Sequence, residues 1–270
     1  MKSTIVPFRP CPYCDARSVT PIVRWAFPGW TAKLAIGKCT SCGLVYAFNS
    51  DEVDMTNQKY VHWRPANDGD HATEDRLEFQ RVLLEYLKPR LKPGSWILDY
   101  GAGYCTFLRV ARDAGFNVEG VNPCIYAADW ARQKLGIQVY PVFGENLQCD
   151  RKYDLVFCQQ TLEHLINPRA DLEKMFSILQ PGGFAYIEVP NWTTVRRLFD
   201  GGRDHLRNPS HYNYFTPRTL TLLCSRAGFE MVDISPPVAV SIAGRTAKRL
   251  LNPLGVGNCS VLVRKPPLEA

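Results

Sequence analysis

The chain lacks the features that would place it outside ordinary globular proteins. It has no uninterrupted apolar run near the roughly 18 residues a membrane-spanning helix requires, so no membrane partner is expected. Its start, MKSTIVPFRPCPYC, offers no apolar stretch before Pro7, Arg9 and Pro10 and does not read as a secretory signal, which points to the cytoplasm. Low-complexity tracts and internal repeats are missing too. With 46% hydrophobic and 21% charged residues, disordered and fibrous classes are excluded. Excess charge is also scarce, at +6 over 270 residues. That length suits one full-sized domain plus a small accessory module.

The little charge there is sits unevenly. Residues 1–50 carry Lys2, Arg9, Arg17, Arg24, Lys33 and Lys38 against Asp15 alone, so nearly all the net positive charge lies in this segment. A basic module on a near-neutral body raises the possibility of a nucleic-acid footprint. The same segment holds Cys11-Pro12-Tyr13-Cys14 and Cys39-Thr40-Ser41-Cys42, two Cys-x2-Cys pairs separated by 24 residues. Each pair places two thiolates on one side of a tight turn, and two facing pairs close a tetrahedral shell. This predicts a structural Zn2+ on Cys11, Cys14, Cys39 and Cys42. Cys105, Cys124, Cys149, Cys158, Cys224 and Cys259 stand singly and read as small buried apolar residues.

Three regions follow: a zinc-ribbon-like module over 1–50, a helical cap segment over 51–93, and an α/β domain over 94–270. In the cap, Phe79, Val82, Leu83 and Tyr86 fall on one helical face. From Trp96 onward, short apolar strands alternate with helical patterns. Strands are expected at Trp96–Tyr100, Asn117–Asn122, Gln138–Val142, Tyr153–Gln159, Phe184–Val189, Phe229–Ile234 and Cys259–Arg264. Helices are expected around Thr106–Ala114, around Ile125–Leu135, in the segment whose Leu172, Met175, Phe176 and Leu179 share one face, and from Pro217, capped by Thr216, to Gly228. Pro181-Gly182-Gly183 is read as the break between the third of these helices and the strand after it.

The most informative segment is Ile97-Leu98-Asp99-Tyr100-Gly101-Ala102-Gly103-Tyr104-Cys105-Thr106. A buried strand ends in an acid, and two glycines let the backbone turn sharply toward a ligand. In a doubly wound sheet, ligands sit beyond the strand carboxyl ends where strand order reverses. Thr106 occupies the place of a third glycine in a dinucleotide fingerprint. The pattern instead suits a ligand with an amino acid portion, whose ammonium a carboxylate such as Asp99 can meet.

Further segments extend the pattern: Asn117-Val118-Glu119-Gly120-Val121-Asn122-Pro123, Tyr153 to Gln159 followed by Leu162-Glu163-His164, and Ile187-Glu188-Val189-Pro190-Asn191. Last comes His211-Tyr212-Asn213-Tyr214-Phe215-Thr216-Pro217. In this order the set resembles the class I S-adenosylmethionine-dependent methyltransferases over most of residues 55–264. It looks most like the branch that joins an N-terminal cysteine module to this fold, which includes sugar C-methyltransferases and related small-molecule methyltransferases. The resemblance implies a Rossmann-like seven-stranded α/β domain that binds S-adenosylmethionine and acts on a small molecule such as a sugar or sugar nucleotide.

By the same resemblance, Asp99, Gly101, Ala102 and Gly103 lie under the methionine part of the cofactor. Asn122 and Pro123 end the second strand beside the ribose, Glu145 and Asn146 meet the adenine, and Gln159 and Gln160 flank the cofactor at the fourth strand. Asn122 departs from the family, which places an acid there. A carboxamide offers one acceptor oxygen and no charge, and losing a charged hydrogen bond costs about 1.5–3 kcal/mol, roughly 10- to 150-fold in affinity. Glu119, three residues earlier, is a poor substitute. This departure raises weak cofactor binding or a degenerate, non-catalytic fold as alternatives.

Methyl transfer from a sulfonium is an in-line displacement that needs aligned partners and, for a hydroxyl or carbon acceptor, a base. Of the five histidines, His164, His205 and His211 fall near the expected cofactor mouth, while His62 and His71 lie in the polar stretch before the cap helix. His164 is the expected general base, with Glu163 orienting and His211 helping to bind substrate. The Gly201-Gly202 loop reads as a lid. The rival function is an RNA methyltransferase that grips phosphates with its basic ribbon. Against it, no basic stripe continues across the body and no Asn-Pro-Pro-Tyr motif occurs.

Overall fold

The computed structural model describes residues 9–26, 33–49, 72–192, 210–234 and 258–268. His62, His71, His205, Gly201-Gly202 and residues 51–71 lie outside them. Among the described residues, no helix is long and apolar enough to cross a membrane.

The body is a seven-stranded sheet. Its strands are β4 (Trp96–Tyr100), β5 (Asn117–Val121), β6 (Gln138–Tyr140), β7 (Tyr153–Gln159), β8 (Leu179–Pro190), β10 (Glu230–Ile234) and β11 (Asn258–Arg264). Their order is β10-β11-β8-β7-β4-β5-β6. β4 pairs in parallel with both β5 and β7, and β11 runs antiparallel to its two neighbours. Strand order therefore reverses at β4, and the crevice beyond its carboxyl end is where such sheets bind ligands. β4 and β7 are apolar along most of their length because helices cover both faces.

The covering helices are α1 (Glu74–Leu87), α2 (Thr106–Asp113), α3 (Ile125–Trp130), α4 (Pro168–Ile178) and α5 (Pro217–Arg226). Two of the starts show a full local cap. Asn167 accepts from Ala170 N before α4, and Thr216 with Thr219 forms a reciprocal capping box before α5, each followed by proline at the first helical position. α3 passes into a π-turn over Ala131–Leu135.

Two expectations need correction. The helix before the Pro-Gly-Gly ends earlier, at Ile178, and Leu179 already pairs with Tyr153, so Pro181-Gly182-Gly183 lies within β8. Gly183 fits there because a side chain would press against the carbonyls of Gln180, Asp154 and Tyr153. In α1 the buried stripe is Gln80, Leu83, Leu84 and Leu87, rotated from the predicted face; Phe79, Val82 and Tyr86 are only half-buried. A glutamine can centre that stripe because its Nε2 donates to Gln159 Oε1 at 2.8 Å.

A second sheet contains β1 (Val19–Ala26), β2 (Lys33–Cys39), β3 (Val45–Ala47) and β9 (Asn213–Tyr214), antiparallel throughout. Its fourth strand comes from the body: Val45 pairs with Tyr214 and Tyr46 with Asn213. The N-terminal segment is thus built onto the segment that carries His211.

Candidate active site

A cavity of about 410 Å³ opens at the carboxyl ends of β4 and β5. Its floor is the turn after β4. Gly101 sits at φ +101°, and a side chain there would collide with Thr161; glycine meets both constraints. Gly101 N and Ala102 N donate to Val121 O at 2.9 and 3.1 Å, which ties the turn to β5. Gly101, Gly103 and Tyr104 line the cavity, whereas Ala102 and Asp99 do not. Asp99 lies buried at the end of β4, where desolvation pushes its carboxyl up to about 8.

The next wall carries Val121, Asn122, Pro123 and Cys124. Asn122 Oδ1 accepts from Cys124 N at 2.8 Å, closing a turn before α3. Its acceptor oxygen is thereby engaged by the main chain. Opposite stand Val142, Phe143 and Gly144. Gly144 lets this loop cross directly over the Tyr100 ring, whose hydroxyl donates to the buried Asp171 at 2.6 Å. The loop meets the cavity through these residues; Glu145 and Asn146 are exposed and outside its lining. Gln160 lines the cavity at φ +52°. Gln159 does not: its Nε2 donates to buried Glu188 Oε1 at 3.2 Å, beneath α1.

The far wall follows β7. Thr161, His164, Leu165 and Ser210 line it. The short turn Leu162–His164 buries Glu163 and leaves His164 at the cavity rim. His164 Nδ1 lies 2.8 Å from Ser210 O. A carbonyl only accepts, so Nδ1 carries the proton and Nε2 the lone pair. Nε2 lies 3.5 Å from Glu163 Oε1, and His211 Nε2 is 4.0 Å from the same oxygen. Burial holds the His164 imidazole below its usual range, with the Ser210 carbonyl acting in the other direction. Burial, with nearby Glu188, pushes the Glu163 carboxyl up to about 8. The three predicted residues therefore meet in space. The Ser210 carbonyl that orients His164 escaped prediction because a main-chain group leaves no mark in the sequence.

This wall is braced by the N-terminal segment. Arg9, buried, donates to Ile166 O at 2.7 Å and to Asn213 Oδ1 at 2.9 Å. Asn213 Nδ2 in turn donates to Leu165 O at 2.6 Å, and Tyr212 N to Glu163 O at 2.8 Å. One of the six charges of the basic segment is thus turned inward. Two more basic groups, Arg169 and Arg226, converge on Asp15.

Cys11, Cys14, Cys39 and Cys42 converge with Sγ–Sγ distances of 3.5 Å for Cys11–Cys42 and Cys14–Cys39. Zinc–sulfur bonds near 2.3 Å place tetrahedral sulfurs about 3.8 Å apart, so the thiols fit a zinc ion. The two knuckles share one backbone pattern. Cys11 N donates to Ala16 O and Asp15 N to Cys11 O; Cys39 N donates to Leu44 O and Gly43 N to Cys39 O. Of the single cysteines, Cys105, Cys124, Cys158, Cys224 and Cys259 are buried as expected; Cys149 is only half-buried.

Comparison with known proteins adds the following. A family profile described as a methyltransferase domain matches residues 71–234, leaving the four cysteines outside it. The ubiquinone biosynthesis O-methyltransferase of Xanthomonas axonopodis pv. citri is 28% identical over 208 residues, 70% of this chain and 84% of the relative. A SAM-dependent methyltransferase from Archaeoglobus fulgidus superposes with a TM-score of 0.52 at 19% identity, covering 70% of this chain and 94% of its own. Magnesium protoporphyrin IX methyltransferase from Synechocystis PCC 6803, solved with bound SAH, gives 0.54 at 14% identity over 70% and 83%. At such identities the solved structures speak for the fold alone.

Proposed function

The chain belongs to the methyltransferase domain family as a class I S-adenosylmethionine-dependent enzyme, and from that premise we propose that it methylates a hydroxyl group on a small biosynthetic intermediate of the sugar or sugar-nucleotide kind. The observation that carries this reading is His164 at the cavity rim, oriented by Ser210 O and across from the glycine turn. The O-methyltransferase name of the curated relatives favours oxygen as the acceptor atom.

The cavity suits the donor. In this reading the Gly101–Gly103 turn supports the methionine portion, Asn122 and Pro123 face the ribose, and Val142 and Phe143 provide an apolar wall for the purine. When bound, the cofactor supplies an electrophilic methyl group on a sulfonium. The chain's own task is to align the acceptor, exclude water and manage a proton. The cluster around His164 manages that proton, most simply by accepting it on Nε2. Zn2+ on the four cysteines is structural, because four thiolates leave no position for substrate. The inward-facing Arg9 disfavours the RNA reading, since it subtracts from the basic footprint.

The test is incubation with methyl-labelled cofactor and a panel of nucleotide sugars, hydroxylated quinone precursors and RNA, with products identified by mass spectrometry. The reading predicts label on a hydroxyl oxygen of a small molecule. Label confined to RNA, or to a carbon or nitrogen atom, would overturn it.

A further inference from the structure

We propose that Tyr100 and Asp171 are positioning residues for the cofactor: joined by a hydrogen bond beneath the loop of residues 142–144, they set that loop at the spacing a purine ring needs. This rests on the placement of the adenosyl group in the reading above and names the side chains that fix its geometry.

Three observations carry it. First, the loop rests on the ring. Tyr100 ends β4 and is buried, and Gly144 lies so close above it that a side chain there would enter the phenol ring. Tyr100, Val142, Phe143 and Gly144 all line the cavity, so the height of the ring sets the position of the wall. Second, the phenol is fixed from behind. Its hydroxyl donates to Asp171 Oδ1 at 2.6 Å, and Asp171, in the first turn of α4, is 2% exposed. Its buried neighbours on α4, Leu172, Met175 and Ile178, are apolar. Packing alone therefore gives no reason for an acid there, since a buried polar group is costly unless it is hydrogen-bonded. Third, the same carboxyl group reaches the loop itself, accepting from Glu145 N and meeting the Glu145 side chain. α4 also holds the far end of the loop, through Lys174 Nζ, which donates to Leu147 O at 3.0 Å.

Asp171 thus joins three elements at one point: β4 through Tyr100, the loop after β6 through Glu145, and α4 to which it belongs. Burial pushes its carboxyl up to about 8. Near neutrality it carries a proton that it can give to the Glu145 carboxylate while it accepts from Tyr100. A wall held in this way is in place before the ligand arrives, and binding costs no ordering of the loop. Without the hydroxyl or its acceptor, the loop loses its fixed seat and must be ordered at the expense of affinity. The effect falls on the adenosyl group and leaves the His164 wall alone.

The experiment measures binding of S-adenosylhomocysteine and methylthioadenosine to the full-length, zinc-loaded chain by calorimetry, with thermal denaturation alongside. Tyr100→Phe and Asp171→Leu should each weaken both ligands by the same factor, about tenfold for one lost hydrogen bond, because both ligands carry the adenosyl group. The double variant should lose no more than the weaker single one, since the pair acts as a unit. Asp171→Asn keeps an oxygen for Tyr100 and a donor for Glu145, and should bind within about threefold of wild type. A purely structural pair would lower the melting temperature of the variants and leave the affinities of the folded protein unchanged. If Asp171→Leu does not fold, Tyr100→Phe decides. Wild-type affinity in Tyr100→Phe, or Asp171→Asn as weak as Asp171→Leu, would overturn the assignment. Phe143→Ala separates it from the placement it rests on. Weakened binding in Phe143→Ala with Tyr100→Phe unchanged fails the pair and keeps the placement; wild-type affinity in both variants fails the placement as well.

Discussion

The two walls of the cavity are built in different ways. The wall that carries the glycine turn, to which we assign the cofactor, is made of consecutive βα units, and its turns are tied by main-chain hydrogen bonds such as Gly101 N to Val121 O and Asn122 N to Tyr140 O. The opposite wall draws on distant parts of the chain. Arg9 reaches Ile166 across 157 residues and Asn213 across 204, and β9 joins the sheet of the cysteine module. One wall is the common property of the fold; the other depends on the module added to it. Damage to the module should therefore strike the acceptor side and spare cofactor binding.

The strongest way to break that asymmetry is Cys14→Ser. Structural zinc contributes on the order of 10 kcal/mol to small metal-bound modules, so zinc content and turnover should collapse. Calorimetric affinity for S-adenosylmethionine should persist, and its loss in parallel with zinc would mean the walls are not separable. Next comes His164→Ala, expected to lower turnover by about 10²- to 10⁴-fold at unchanged cofactor affinity. Turnover within a few-fold of wild type would remove His164 from the chemistry.

A smaller effect is expected from Arg9→Met, which leaves Ile166 O and Asn213 Oδ1 without their donor. Unsatisfied buried groups cost about 1–3 kcal/mol each; thermal denaturation should show the loss, with a drop in turnover and little change in cofactor binding. The mildest change sharpens the other wall. Asn122 Oδ1 is occupied by Cys124 N, and Asn122→Asp supplies a second, charged oxygen. Cofactor affinity should rise by about tenfold, at the low end of a charged hydrogen bond. Unchanged affinity would mean the ribose is held elsewhere.

The same division explains what the sequence revealed. The order of strands and helices from Trp96 to Arg264, the glycine turn and the two Cys pairs are local patterns, legible because periodicity and turn chemistry are local. The exceptions on this side are also instructive. Gln80 sits in the buried stripe of α1 because a polar partner, Gln159, waits beneath it, and residues 179–183 extend β8 because Tyr153 offers them an edge. On the wall that carries His164, the sequence places His164 and His211 near one mouth, but not the contacts that bring both rings to the Glu163 carboxyl. These depend on β9 pairing with β3, on the Arg9–Asn213 contact and on a main-chain carbonyl, none of which has a sequence period.

The central claim is that the donor lies over the Gly101–Gly103 turn with its reactive carbon directed at the His164 side. A crystal structure of the full chain with S-adenosylhomocysteine tests it most directly. The account predicts the adenosyl group between Asn122 and Phe143 and the sulfur turned toward His164. Density for the nucleoside in any other crevice, or a sulfur facing away from the Glu163–His164–His211 cluster, would contradict it.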